Sequence, residues 1–308
     1  MTKLSVIVPC YYNEANIPVT TEELIANEVN FSDKLDFEYV MVDDGSKDGT
    51  HQALLRFKDK YPDKVKVVKL VSNVGSYNAI VAGMDVASGD CNVVIGADLQ
   101  DPPALMVKMY EYWKKGFKLV LGNREDREDK FIGKTISNVF QFMMRKFALS
   151  TLPKGGFDYV FFDSEIRDNI VSMQEKNTNS LYLMLWLGYE YVSVPYTRKE
   201  REIGKSRWTF SKKIKLFIDS FVAFSFLPIR LISILGMLMG MGALLYGLFV
   251  LANWLFIGED VEGWTSLMMV ILFFSSFQMI ALGILGEYIW RTMDNSRKRP
   301  NYTIEKVE

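Results

Sequence analysis

Short apolar runs alternate with amphipathic stretches along the first half of the chain. Leu4–Val8, Phe37–Val42, Val65–Val71 and the run that begins at Val93 read as buried strands. Helical patterns fill the intervals: one from a capping Asn16 to about Asn27, one from Thr50 to about Tyr61, one from Tyr77 to Ala87. This βαβ rhythm predicts an α/β domain built on a parallel sheet with helices on both faces. Further on, Val120–Arg124 reads as a strand, Lys134–Leu149 as an amphipathic helix, and Gly155–Asp163 as two glycines followed by an aromatic strand.

The pattern changes near residue 210. Phe210–Phe226 reads as an interfacial helix, with Lys212, Lys213 and Lys215 at its start and phenylalanines beyond. From Leu231 no charge appears through Ile257, roughly 27 residues, enough to span a bilayer with tilt. A second such stretch runs from Ser266 to Ile289, broken only by Glu287. The link Gly258–Gly263 carries three acids and no Lys or Arg, whereas Arg230, Arg291, Arg297, Lys298 and Arg299 flank the two stretches. The positive-inside rule then places both flanks in the cytoplasm and the link outside, and Trp254, Trp264 and Trp290 fall where an aromatic belt would lie. The predicted organisation is a cytoplasmic α/β domain over 1–209, an interfacial helix over 210–228, a two-helix transmembrane hairpin over 229–290 and a basic cytoplasmic tail over 291–308. The expected location is the inner (plasma) membrane, multi-pass, with both termini cytoplasmic.

Composition narrows the chemistry. The 308 residues are 49% hydrophobic and 24% charged, with a formal net charge of -1, so no basic field invites nucleic acid. Cys10 and Cys91 sit in strand contexts and read as free core thiols of a reducing compartment. The single histidine, His51, argues against a histidine metal site or a Ser-His-Asp triad, and it reads as a surface residue. The chain enters its first strand at Leu4, so no signal peptide is expected. Neither a P-loop nor a Gly-x-Gly-x-x-Gly turn is present.

What the strand ends do carry is acid. Glu14, Asp43, Asp44, Asp98 and Asp101 each follow an apolar run, and in a parallel sheet such positions gather on one edge, where ligands bind. One such Asp alone would be read as a helix cap; the clustering is what points to a site. Val93-Val94-Ile95-Gly96-Ala97-Asp98-Leu99-Gln100-Asp101-Pro102-Pro103 is the densest stretch. Asp98 and Gln100 offer hard oxygens of the kind Mg²⁺ or Mn²⁺ takes beside substrate phosphates.

Four segments in order, Val8-Pro9-Cys10-Tyr11-Tyr12-Asn13-Glu14, Val42–Thr50, Asn73-Val74-Gly75 and Ala97–Pro102, resemble family-2 glycosyltransferases with a nucleotide-sugar-binding GT-A fold. With two C-terminal membrane helices, the chain is similar to polyprenyl-phosphate glycosyltransferases, the group of dolichyl-phosphate mannose synthases and bacterial undecaprenyl-phosphate sugar transferases. The resemblance implies an inverting transfer of sugar from a nucleotide sugar, with a UDP-sugar expected, to polyprenyl phosphate. It implies donor contacts from Pro9, Tyr11, Glu14, Asp43, Asp44, Asn73 and Gly75, and a Mg²⁺ or Mn²⁺ ion on Asp98 and Gln100. Acceptor or phosphate contacts are expected from Arg124, Arg127, Arg201, Lys205, Ser206 and Arg207, and catalytic roles from Asp98, Asp101 and Asp158. Relatives often carry Asp-x-Asp where this chain has Gly96-Ala97-Asp98, so the remaining acid must do more of the metal binding. The lipid bilayer is an expected partner, and self-association into a homo-oligomer is expected.

Two other readings remain. A processive polysaccharide synthase shares the early motifs, but its Gln-x-x-Arg-Trp would need Gln where Gly204 precedes Arg207-Trp208. A non-catalytic scaffold with a decayed site is motivated by Gly96.

Overall fold

The computed structural model describes residues 1–124, 131–173, 175, 178–198, 218–256 and 263–308. It divides into two compact units: Met1–Ala223 with Arg299–Glu308, and Phe224–Lys298.

The first unit is a mixed α/β fold. Its strands are β1 (Lys3–Cys10), β2 (Asp36–Asp43), β3 (Val65–Leu70), β4 (Cys91–Val94), β5 (Leu119–Arg124), β6 (Tyr159–Asp163), β7 (Tyr191–Tyr196) and β8 (Ile304–Val307). They form one eight-stranded sheet in the order β7-β5-β6-β4-β1-β2-β3-β8. The helices are α1 (Ile17–Ala26), α2 (Thr50–Lys60), α3 (Ser76–Val86), α4 (Leu105–Lys114), α5 (Phe131–Phe147), α6 (Ser164–Met173) and α7 (Ser180–Trp186), with α8 over 218–224.

The hydrophobic runs explain the layering. On β1, Leu4, Val6, Val8 and Cys10 join one core with Ile17 and Leu24 of α1, Leu54 and Phe57 of α2, and Met106 and Met109 of α4. Ile7 between them is equally buried but lies outside that core, and α3 packs on β1 and β2. A central strand apolar on both sides is therefore buried on both sides, as a parallel sheet requires.

The sheet is mostly parallel, as expected of a Rossmann-like GT-A domain, with β6 antiparallel between β4 and β5 and β8 antiparallel to β3. Two details differ from the sequence reading. Asn16 makes no side-chain cap; α1 starts instead by turning its first amides, those of Asn16 and Ile17, onto the Asn13 carbonyl. Arg299–Glu308, expected as part of a basic tail, returns to the first unit and adds β8 to its edge. Local patterning has no means of pairing residue 305 with residue 69, so the edge strand is invisible until the sheet is seen.

The second unit contains α9 (Leu227–Phe256) and α10 (Trp264–Ser296). Each is long and apolar enough to cross a membrane, over Leu227–Asn253 and Ser266–Ser296. Their apolar side chains are largely exposed, which in water would be untenable for helices of this length. The link 257–262, most of the interfacial stretch and the Arg127 and Arg201–Arg207 predictions lie outside the described residues.

Candidate active site

β1, β2, β3 and β4 are parallel, so their carboxyl ends reach one edge of the sheet, and β5 and β7 pair in parallel with Arg124 opposite Tyr196. β6 runs the other way, which brings Asp158, just before its first residue, to that same edge. Two polar clusters form there.

The first cluster is built by backbone amides. Asp44, 2% exposed, accepts from the amide of Val74 at 2.7 Å, the amide of Gly75 at 3.1 Å and Asn73 Nδ2 at 2.7 Å. It thereby clamps the 73–75 loop to the end of β2. Burial pushes its carboxyl up to about 6 against the pull of those amides. Gly45 makes the clamp possible: its φ is +66°, and a Cβ there would stand 2.7 Å from the Asn73 nitrogen. The loop after β1 is tied to the same turn. The amide of Tyr12 donates to Ser46 Oγ at 3.0 Å, that of Asn13 to Thr50 Oγ1 at 2.8 Å, and that of Gly49 to Glu14 Oε2 at 3.0 Å. Pro9 pairs in register with Val42, and Tyr11 packs edge-on against Tyr12, so the loop opens on an apolar wall.

Asp43 is different from its neighbour. It is fully buried; its Oδ1 accepts from the Ser46 amide at 3.0 Å, and its Oδ2 has no hydrogen-bond partner. A buried carboxylate oxygen left open is costly unless a ligand fills it. Beside it, burial and the Asp43 charge push the Cys10 thiol up, which keeps it an inert core thiol.

Asp98 stands four residues beyond β4. Leu99 takes φ 53°, a left-handed conformation that a leucine seldom adopts, and it folds the loop so that the Gln100 amide reaches Asp98 Oδ1 at 3.4 Å. A Cβ on Gly96 would lie 3.1 Å from Asp98 Oδ1. The Asp98 carboxylate thus lies against the position where a first acid would begin, and Gly96 leaves it room. One carboxylate and one amide side chain on a turn fit a hard divalent ion that completes its shell with phosphate and water. No group of three or more His, Cys, Asp or Glu is gathered for a metal among the described residues.

The second cluster is built by charge. Asp101, 3% exposed, accepts from the Tyr196 hydroxyl at 2.5 Å and lies 3.5 Å from Arg198 Nε. Arg124, also buried, donates from Nε to the Tyr196 hydroxyl at 3.4 Å and pairs through Nη2 with Asp158. Burial raises the Asp101 carboxyl, with Arg198 and Tyr196 opposing. Burial also works against the Arg124 charge, but Asp158, Tyr196 and Asp101 more than offset it and hold the guanidinium protonated. Tyr77, at the start of α3, feels both Asp158 and Arg124, and burial pushes its hydroxyl well above the ordinary value. It links the 73–75 loop to this cluster.

The structure therefore brings Pro9, Tyr11, Glu14, Asp43, Asp44, Asn73, Gly75, Asp98, Gln100, Asp101, Arg124 and Asp158 to one edge. Asp101 is enclosed by Tyr196 and Arg198. Tyr77, Tyr196 and Arg198 were not singled out from sequence. Tyr196 could have been found as a strand-end tyrosine next to a basic segment; Tyr77 carries no signal of its own.

Residues 5–169 match the family model described as glycosyl transferase family 2. The chain is 35% identical over 303 residues to the uncharacterized glycosyltransferase YkcC of Bacillus subtilis, covering 98% of this chain and 93% of that one. It is 31% identical over 313 residues to a prophage bactoprenol glucosyl transferase homolog of Escherichia coli, covering 99% of each. It is 28% identical over 307 residues to an undecaprenyl-phosphate 4-deoxy-4-formamido-L-arabinose transferase of Photorhabdus laumondii, with coverage of 99% and 94%. Among solved structures it is similar to a mannosyltransferase of Pyrobaculum calidifontis, with TM-score 0.49, 20% identity, and coverage of 70% of this chain and 60% of that one.

Proposed function

Since the chain belongs to glycosyl transferase family 2 and is an enzyme of the transferase class, we propose that it moves a sugar from a nucleotide diphosphate sugar, a UDP-sugar by preference, to undecaprenyl phosphate at the cytoplasmic face of the membrane. The observation that carries this reading is the pairing of an open carboxylate, Asp43, with a buried, charge-held Arg124 on one sheet edge of a chain with two candidate membrane spans. The names of the bactoprenol and undecaprenyl-phosphate relatives support the acceptor.

Each cluster has a task in this reaction. Asp43 Oδ2 accepts the imide N–H of the base, with Pro9 and Tyr11 as walls and the 73–75 loop, clamped by Asp44, closing the nucleoside side. Asp98 and Gln100 would hold Mg²⁺ or Mn²⁺, and the ion would supply Lewis-acid stabilisation of the departing diphosphate. Arg124 presents its planar fork to the acceptor phosphate, and Asp158 orients the fork. A phosphate monoester is already largely ionised near pH 7, so alignment matters more than a strong base. One phosphate oxygen attacks the anomeric carbon from the face opposite the diphosphate, and the anomeric configuration inverts. Arg127, Arg201, Lys205, Ser206 and Arg207 are assigned to the phosphates on the strength of the motif alone. The positive flanks support a topology with both termini in the cytoplasm, and the role that goes with it is cell-envelope glycan modification.

The test is a panel of nucleotide sugars incubated with purified protein, undecaprenyl phosphate and Mn²⁺. Formation of lipid-linked sugar with one donor is the expected result. Donor turnover that needs no lipid phosphate, or chain extension into polymer, overturns the reading.

A further inference from the structure

His51, expected on the surface, is instead half-buried in the first turn of α2, between two carboxylates. Its Nδ1 stands 3.7 Å from Asp43 Oδ2, and its Nε2 stands 3.4 Å from Glu308 Oε2. Its side chain is 18% exposed, as is that of Glu308. Asp43 Oδ2, His51 Nδ1 and Glu308 Oε2 are all buried polar atoms without a hydrogen-bond partner, and they fall in one row. Buried orphans are few in a native fold and each calls for a reason; three in a row call for a common one.

Glu308 is held firmly. Its amide donates to the Val67 carbonyl at 2.9 Å, and its own carbonyl accepts from the Val67 amide at 2.9 Å. Its side chain pairs with Lys306, which together with His51 and Lys58 holds its carboxyl low. β8 thus delivers a fixed acceptor to one side of the imidazole. The other side faces the oxygen assigned above to the nucleotide base. Ionised carboxylates only accept, and an imidazole N–H must choose between them unless both nitrogens carry protons. At 3.7 Å the His51–Asp43 contact is too long for a hydrogen bond. The ring therefore restrains the direction of the open oxygen without filling it.

We propose that His51 is a positioning residue for Asp43, with its ring set by Glu308, so that the strand following the membrane helices takes part in recognising the nucleoside of the donor. This rests on the reading of Asp43 as the acceptor for the base. On that reading His51 acts only through Asp43, so its effect is expected on the base alone.

The experiment uses the full chain in detergent with Mn²⁺ and two probes: UDP, and inorganic pyrophosphate, which lacks a base. Dissociation constants are measured by calorimetry for wild type, Asp43→Asn, His51→Ala, His51→Gln and Glu308→Gln. UDP binding is expected to weaken about tenfold or more in Asp43→Asn and about three- to tenfold in His51→Ala. A smaller loss in the same direction is expected in Glu308→Gln, and partial recovery in His51→Gln. Pyrophosphate binding should be unchanged in all four. The double variant His51→Ala/Asp43→Asn should bind UDP no more weakly than Asp43→Asn, since the ring then has nothing to aim. Equal losses for UDP and pyrophosphate in His51→Ala would make the ring a structural support and overturn the proposal. Full UDP affinity in His51→Ala and Glu308→Gln, with a loss in Asp43→Asn, overturns the proposal but keeps the base reading. Full UDP affinity in Asp43→Asn overturns both. Glu308→Gln guards against misfolding, because it sits on the edge strand and leaves the pairing of β8 intact.

Discussion

The two halves of the sheet edge are organised by different forces. Around β1, β2 and β3 the polar side chains are held by backbone amides: Asp44 takes two, Asp43 one and Glu14 one. Around β5, β6 and β7 the side chains hold each other, Asp101 to Tyr196 and Arg198, Arg124 to Tyr196 and Asp158. The amide-built half holds its carboxylates by main chain that cannot leave, and Asp43 Oδ2 stays without a partner there. The charge-built half depends on every member being present, since a buried charge that loses its partner costs several kcal/mol. A site that must recognise a neutral base and an anionic phosphate has use for both kinds of construction.

Removing the guanidinium should break the charge-built half outright. Arg124→Ala is expected to lower turnover about a thousandfold, roughly 4 kcal/mol, and to destabilise the first unit by about 3–5 kcal/mol. Thermal unfolding beside the lipid-product assay measures both. A variant that loses rate at unchanged stability would show that the cluster does not depend on its members in this way.

Asp98→Ala separates chemistry from construction. Turnover should fall at least ~100-fold, about 2.7 kcal/mol, with the unfolding midpoint moved much less than in Arg124→Ala, because Asp98 is only partly buried whereas Arg124 is buried and charged. Metal-dependent turnover close to wild type would move the ion to other ligands.

Tyr196→Phe tests the neutral link within the charged half. Its hydroxyl joins Asp101 to Arg124, so its loss should cost about 1–3 kcal/mol and raise the KM for lipid phosphate more than that for donor. A donor-side effect alone would disconnect Tyr196 from the acceptor.

The smallest effect is expected in the amide-built half, and it depends on pH. The fold raises the Asp44 carboxyl from the ordinary 3.8 to about 6, so it favours the protonated form. That contribution is complete below pH ~4 and is lost as the pH rises through about 6, at most about 3 kcal/mol. Wild type should therefore melt lower at pH 7.5 than at pH 5, by a margin that Asp44→Asn does not show. Identical pH profiles would mean that the three donors on Asp44 offset its burial fully.

The strands β1 to β3, the turn at Asp43–Thr50 and the acids at the strand ends follow from local hydrophobic pattern and turn residues, although the amides that hold Asp44 and Glu14 come from 30 to 35 residues away. The α/β class and the two apolar helices are legible from the same pattern. The antiparallel β6 and β8, the place of Tyr196 and the burial of His51 depend on partners from tens to more than 200 residues distant. Such pairings leave no periodicity in the chain. The resemblance implies a role for Asp158; only the fold reveals Arg124 as its partner.

The antiparallel strand β8 has a consequence for the order of assembly. Its partner β3 is synthesised early, and Lys69 waits for Glu305, 236 residues later, while α9 and α10 are made in between. Until then the outer side of β3 carries unpaired amides and carbonyls, the kind of edge to which stray strands add. Residues 304–307 thus act as a seal that closes only after both long apolar helices have left the ribosome, and a nascent chain held up before that point keeps an adhesive edge until β8 docks.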